Sequence, residues 1–230
     1  MNKNSKSAKN SAICIISGGM DSALSAQIAK NEGLDIIALH FNYGQKTQNK
    51  ELEAFYKIAK DLNSIKNYVI DLDFFKQIGA TALIDDNLEI PTSGLKPGVP
   101  ITYVPYRNGI FLSIAAAIAQ KHYSKYIYIG VVEEDSSGYP DCREDFISSI
   151  QKAINLGLND DFNIEIKTPL IHLSKKEIVQ KAIDLGVKLE HTWSCYKNED
   201  RACGVCDSCR LRLKGFKEAG IKDKIEYEVN

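Results

Sequence analysis

The chain of 230 residues has no excess of charge of either sign, with 29 Lys and Arg against 30 Asp and Glu. No overall field therefore draws it to nucleic acid or to an anionic surface, and nucleic-acid-binding domains are usually distinctly basic. No apolar run approaches the roughly 18 residues that would suggest a membrane span. The start, MNKNSKSAKN, is polar, and no apolar stretch that would read as a signal peptide follows it. Residues 1–10 are thus expected to be a frayed tail on a cytoplasmic protein. Proline is scarce, and four of the six fall between about Asp85 and Pro105, which marks that stretch as a loop. Internal repeats are missing. So are both common nucleotide signatures, the G-x-x-x-x-G-K-[ST] loop with its lysine and the dinucleotide G-x-G-x-x-G. No Ser-His-Asp or Cys-His constellation offers a covalent nucleophile.

What is present is an ordinary globular composition, 44% hydrophobic, organised as β-branched apolar runs alternating with helical stretches. Strands are expected at 12–16, 35–41, 67–72, 126–131 and 163–167. Helices are expected at 22–31, 47–62, 108–123 and 144–156. A further helix running to about Leu185 is announced by the capping box Ser174-Lys175-Lys176-Glu177. Repeated β-then-α units predict an α/β fold with a doubly wound, mostly parallel five-stranded sheet covered on both faces. Ligands of such folds bind outside the carboxyl ends of the strands. The expected division is an α/β domain over 11–190 and a small, cysteine-rich segment with a C-terminal helix over 191–230.

The first strand runs straight into Ser17-Gly18-Gly19-Met20-Asp21-Ser22 and then into a helix. A glycine pair lets the backbone turn tightly and lets an anion approach without a Cβ in the way. Free amides and the dipole of the helix's first turn favour a phosphate there, and the Ser17 and Ser22 hydroxyls can add hydrogen bonds. The bland alternative is a strand-to-helix turn with Asp21 or Ser22 as N-cap. An aspartate beside phosphates makes electrostatic sense with Mg²⁺ between them.

Cys195, Cys203, Cys206 and Cys209 are spaced C-x7-C-x2-C-x2-C. Four thiolates suit tetrahedral Zn²⁺ and leave no open position, so the site is expected to be structural. Four cysteines also hold a [4Fe–4S] cluster, and two disulfides or four unrelated thiols are the remaining alternatives. The basic run Arg210-Leu211-Arg212-Leu213-Lys214 keeps open a zinc module that binds nucleic acid.

Six segments together resemble the 7-cyano-7-deazaguanine synthase family, within the PP-loop ATP pyrophosphatases: SGGMDS at 17–22, FNYGQ at 41–45, VPYRN at 104–108, SGYPDCR at 137–143, SCY at 194–196 and CGVCDSCRLRLKGFKEAG at 203–220. The resemblance implies a homodimeric ligase that converts 7-carboxy-7-deazaguanine and ammonia to the nitrile, using ATP twice and binding no nucleic acid directly. It sets the ATP loop on Ile16, Ser17, Gly18, Gly19, Met20, Asp21, Ser22, Ala23, Leu24, Ser25 and Ala26, and zinc on the four cysteines. Two departures stand out: Tyr106 occupies a position where the family usually has glycine, and Ala23 one where it often has threonine.

Losing both oxygens of a carboxylate requires two activations, first of the acid and then of the amide. That scheme needs a phosphate grip and charge stabilisation rather than a protein nucleophile. Asp21, Arg107 and Arg143 are the expected catalytic residues, the arginines because guanidinium offers a bidentate fork for phosphate or carboxylate. Tyr43, Gln45, Arg107, Asn108, Asp141 and Arg143 are the expected substrate contacts, Asp141 for the amidine-like edge of the base. Phe41, Tyr139 and Trp193 could stack a base, with core packing as the default. Cys142 reads as a small buried residue, His40 as a strand residue and His191 as a flank of the zinc knuckle. Glu133, Glu134 and Asp135 are acidic candidates for Mg²⁺. Two rival readings remain, a PP-loop tRNA sulfurtransferase and a zinc-knuckle nucleic-acid binder.

Overall fold

The computed structural model describes residues 10–94, 98–133 and 138–228. Residues 1–9 of the expected tail, Glu134, Asp135 and the start of the SGYPDCR segment lie outside the described residues. Five strands form one sheet: β1 (Ser11–Ile15), β2 (Asp35–Asn42), β3 (Lys66–Asp71), β4 (Tyr126–Ile129) and β5 (Glu165–Lys167). Their order is β3-β2-β1-β4-β5, and all four pairings are parallel. The chain winds outward from β1 to β3, then returns and winds the other way through β4 and β5. Adjacent β1 and β4 therefore flank the point where the winding reverses.

Side-chain alternation along a strand explains the double layer. Ile13 and Ile15 of β1, Ile37 and Leu39 of β2, and Ile127 and Ile129 of β4 enter one buried cluster. Their neighbours Ala12, Cys14, Ile36, Ala38 and Tyr128 enter a second. Each Ile or Leu so buried contributes about 1.5–3 kcal/mol before entropy is counted. The second cluster is covered by α1 (Met20–Asn31), α2 (Gln48–Asp61) and α6 (Lys175–Asp184). The first cluster is covered by α4 (Arg107–His122) and α5 (Glu144–Leu156). A single-turn helix, α3 (Phe75–Ile78), was not legible in the sequence, because a four-residue turn carries no periodicity of its own. The expected box at Ser174 is formed: the Glu177 amide donates to Ser174 Oγ at 3.3 Å and the Ser174 amide to Glu177 Oε2 at 2.8 Å. No described helix is long and apolar enough to cross a membrane.

The last helix, α7 (Asp207–Ala219), packs on α6 through Gly215. A Cβ there would lie 2.8 Å from the Lys175 carbonyl oxygen, so only glycine allows this approach. Within α7, Arg212 is 1% exposed and donates to both oxygens of Asp223 at 2.6 and 3.0 Å. Arg210 donates to the carbonyls of Val205 and Thr92, each at 2.8 Å. Both arginines of the basic run are thus engaged within the chain.

Candidate active site

β1 ends one residue before the loop, and His40 of β2 fixes the exit by bonding the Ile16 carbonyl through Nδ1 at 2.8 Å. Burial lowers the His40 pKa, so the imidazole serves here as a neutral donor. Gly18 turns the chain at φ +97°, a conformation that strongly favours glycine, and a Cβ on it would lie 2.8 Å from the Glu51 carbonyl oxygen of α2. Its own carbonyl accepts from the Trp193 amide at 2.8 Å, so the segment leading into the cysteines clasps the loop. Within the loop, Ser22 Oγ donates to the Gly19 carbonyl at 2.9 Å and accepts from the Ser17 amide at 3.2 Å. α1 begins at Met20, leaving its first amides at the loop.

The sequence offers no P-loop lysine, yet a lysine reaches this loop from 154 positions away. Lys175, the first residue of α6, is 6% exposed and donates from Nζ to Asp21 Oδ2 at 2.7 Å. The other oxygen, Asp21 Oδ1, is buried with no hydrogen-bond partner among the described residues. An unpartnered carboxylate oxygen beside a phosphate loop fits a hard cation such as Mg²⁺.

A cavity of about 230 Å³ opens between the carboxyl ends of β1 and β4. Ser17, Gly19, Met20, Asp21, Ser22 and Lys175 form the end of it at the loop and the start of α1. Tyr43, Glu51, Arg107, Asn108, Tyr139 and Tyr196 line it further on, with Phe41, Phe111 and Trp193 as aromatic walls. Phe41 and Phe111 stack at 4.1 Å between ring centroids. Arg107 donates from Nη1 to the Tyr43 hydroxyl at 2.9 Å and lies 5.4 Å from that ring's centre.

Three expected contacts sit differently. Asp141 accepts from the Asn108 amide at 2.9 Å, while the Asn108 side chain donates to the Asp141 carbonyl at 3.2 Å. The Asp141 carboxylate thereby caps α4 from another segment, outside the cavity lining. Gln45 accepts from the Tyr43 amide at 2.9 Å and donates to Glu51 Oε2 at 3.1 Å, holding the wall from behind. Arg143 is exposed at the start of α5, outside the lining. Cys142 lines the cavity, but burial pushes its thiol up to about 12, which leaves little thiolate. Glu133 accepts from the Glu144 amide at 3.1 Å.

Four sulfurs, those of Cys195, Cys203, Cys206 and Cys209, lie within 4.8 Å of one another and are all buried. Backbone amides of Asn198 and Cys203 donate to Cys195 Sγ, each at 3.3 Å. Amide donors favour thiolates, and such a cluster can bind a metal. Gly204, at φ +72°, turns the chain between the second and third sulfurs, and α7 carries the fourth in its first turn. Glu199, in the loop between the first two, accepts from the Asn49 amide at 3.0 Å at the start of α2.

A family model described as "Queuosine biosynthesis protein QueC" matches residues 11–220. The chain belongs to this family. It is 69% identical over 216 residues to the 7-cyano-7-deazaguanine synthase of Sulfurovum sp. (strain NBC37-1), covering 94% of this chain and 97% of that one. To the synthase of the same name from Aliarcobacter butzleri (strain RM4018) it is 63% identical over 223 residues, covering 97% and 98%. Among solved structures, a 4-thiouridine synthetase–RNA complex with bound ATP superposes with a TM-score of 0.55 at 18% identity, over 92% of this chain and 50% of that one. NMN synthetase from Francisella tularensis gives 0.50 at 16%, over 94% and 74%. At these identities the two share the fold.

Membership of the family makes Tyr106 informative. It adopts the left-handed conformation at φ +56° as the residue preceding α4. A glycine at this position has a physical reason: no Cβ resists that turn. Here the Tyr106 ring packs over Gly109, where a Cβ would come within 2.5 Å of it, and meets Phe146 edge-on at 5.7 Å.

Sequence reasoning missed Lys175, Glu51 and Tyr196 as cavity residues. Lys175 was hidden by its own capping box, where a first-turn lysine reads as solvated. Glu51 lies on a helix rather than at a strand end, and Tyr196 follows a cysteine that drew attention to metal.

Proposed function

We propose that the chain converts 7-carboxy-7-deazaguanine and ammonia to 7-cyano-7-deazaguanine through an adenylated acid, an amide and an adenylated amide. The observation that carries this reading is the SGGMDS loop at the winding reversal, with Lys175 and Asp21 at one end of a cavity and Arg107 further along it. A loop of free amides at a helix start grips phosphates, and the resemblance of SGGMDS to the loop of PP-loop ATP pyrophosphatases supports retention of pyrophosphate there as a substrate oxygen attacks the α-phosphate. Ser17 and Ser22 add hydroxyls to that grip. Lys175, buried and bonded to Asp21, places a fixed positive charge where negative charge gathers on the departing group. Arg107, held by Tyr43, orients the carboxylate or the α-phosphate, and the aromatic walls take the purine rings.

Asp21, through its unpartnered Oδ1, would hold Mg²⁺ if one binds, and the ion would supply positive charge against the phosphates. Cys195, Cys203, Cys206 and Cys209 would hold a structural zinc ion, which would brace the segment whose Trp193 amide clasps Gly18. Residues 11–190 form the nucleotide-handling domain and 191–230 the zinc-bearing closure, and the protein works in the cytoplasm as a homodimer, without direct nucleic-acid contact. Purified protein should consume ATP only when the carboxylated deazapurine and ammonium are both supplied. Equal ATP hydrolysis without the acid would count against the reading.

A further inference from the structure

We propose that Glu51 is the group that receives the second substrate, as ammonium, and takes its proton before the nitrogen attacks the activated acid. The inference rests on the ligase reading above and assigns a role which that reading leaves empty. Ammonium, like a lysine ammonium, keeps its proton at neutral pH, and its nitrogen has no lone pair until the proton leaves. A cation that must be deprotonated calls for a carboxylate inside the cavity. Among the described residues, the acidic ones lining it are Asp21 and Glu51, and Asp21 is bonded to Lys175. That leaves Glu51.

Its setting suits the task. Thr47 Oγ1 donates to Oε1 at 2.8 Å and Gln45 Nε2 to Oε2 at 3.1 Å, which fixes the orientation of the carboxylate. Gln45 is itself pinned by the Tyr43 amide, so the aim of the carboxylate is set by the same loop that holds Arg107. The Glu51 backbone abuts Gly18, so its side chain leaves α2 beside the loop, in the same cavity where the acyl adenylate would form. The charged or titratable groups acting on it are Arg107 of α4, Glu199 of the cysteine loop and Tyr43. Burial, offset by the bonds from Thr47 and Gln45 and by the charge of Arg107, pushes its pKa up to about 7. A base with its pKa near the working pH transfers protons most effectively.

In the step, the Glu51 carboxylate accepts one proton from ammonium and becomes the neutral acid. The freed lone pair forms the C–N bond to the acyl carbon, and the C–O bond to the adenylate breaks with its electron pair going to AMP. The nitrogen then gives its surplus proton to water, leaving the amide. The second half-reaction, amide to nitrile, consumes no ammonium. The two halves can be measured apart by supplying either the acid with ammonium or the amide alone, each with Mg-ATP.

The test is Glu51→Gln in the full chain, assayed on both half-reactions after a melting curve has shown it folded. We expect kcat/KM for ammonium to fall at least 10²-fold, with amide-to-nitrile turnover within about threefold of wild type. Equal loss in both halves would instead make Glu51 a contact for the base or for ATP, and no loss in either would remove it from the chemistry; both results overturn the proposal. Should the variant unfold, the wild-type pH profile decides. The ammonium step must gain activity as pH rises to about 7 and then level off, with a limb that the amide step lacks; matching profiles, or a rise that continues above about 8 with the fraction of free ammonia, overturn the proposal. If wild type converts neither the acid nor the amide, the ligase reading itself fails, which is a different result from either of these.

Discussion

Gly130 follows β4 at the winding reversal and touches the phosphate loop directly. A Cβ on it would lie 2.6 Å from the carbonyl carbon of Asp21, 2.7 Å from its oxygen and 2.7 Å from the Ser22 amide nitrogen. All three are backbone atoms of the first turn of α1, so no side-chain rotation relieves the clash. Ordinary contact begins near 3.4 Å, so β4 and α1 must separate by most of an ångström. α1 has little room to retreat, because Ala23, Leu24 and Ala26 are buried behind it at 1% exposure or less. Overpacking of this kind costs about 1–3 kcal/mol, and the rigid partners argue for the upper part of that range. For a domain of this size the melting temperature should drop by roughly 4–10 °C. Displacing the phosphate grip by about 1 Å should also cut kcat/KM for ATP by on the order of 10²-fold. Gly33→Ala is the control. It sits at φ +82° with nothing within 4 Å of its Cβ, so it pays backbone strain far from the cavity. Thermal melts and ATP titrations of both variants separate the effects: G33A should lose about 1 kcal/mol and keep turnover. A G130A protein with wild-type melting and wild-type ATP kinetics would refute the close approach.

Three further outcomes follow from the same geometry. Lys175→Met should lower kcat/KM for ATP by about 10²-fold, as loss of one charge-stabilising donor does, and Lys175→Arg should recover part of it. An unchanged K175M enzyme would remove the lysine from phosphate handling. Cys206→Ser should lower bound metal below one ion per chain, seen by elemental analysis, and lower the melting temperature before any chemical step is affected. A visible iron–sulfur absorption band in the wild type would overturn the zinc assignment. Tyr106→Ala should be about 1 kcal/mol less stable than Tyr106→Gly, by denaturant melts, reversing the usual order of alanine over glycine because φ is +56° there. Alanine equal to or better than glycine would contradict the strain.

Much of the fold was readable because the strands alternate cleanly into two layers. AICII and DIIALHF are apolar on both faces, which is the mark of a parallel strand buried between helices. α3 and the short 3-10 turn Pro140–Cys142 were not readable, since three or four residues impose no period. The phosphate loop stood out because the whole hexapeptide SGGMDS resembles that of PP-loop ATP pyrophosphatases, whereas the glycine pair alone suits a plain strand-to-helix turn equally well. Contacts across the sheet edge were less visible. Asp141 sits in a motif with Arg143, and both looked like ligand contacts, but only the fold brings Asp141 under the start of α4. Lys175 and Asp21 are far apart in sequence, and nothing local in either marks the pair. Residue types marked the chemistry, and the close approaches at Gly130 and Gly215 decided which side chains meet.

The most direct test of α-phosphate activation follows oxygen. With ¹⁸O in both carboxylate positions of 7-carboxy-7-deazaguanine, each oxygen should leave on a separate AMP. Mass spectrometry should find two AMP per nitrile, each carrying one heavy oxygen, with the amide intermediate retaining one. Unlabelled AMP, or label appearing in inorganic phosphate alongside ADP, would contradict attack at the α-phosphate and with it the role given to the Ser17–Ser22 loop.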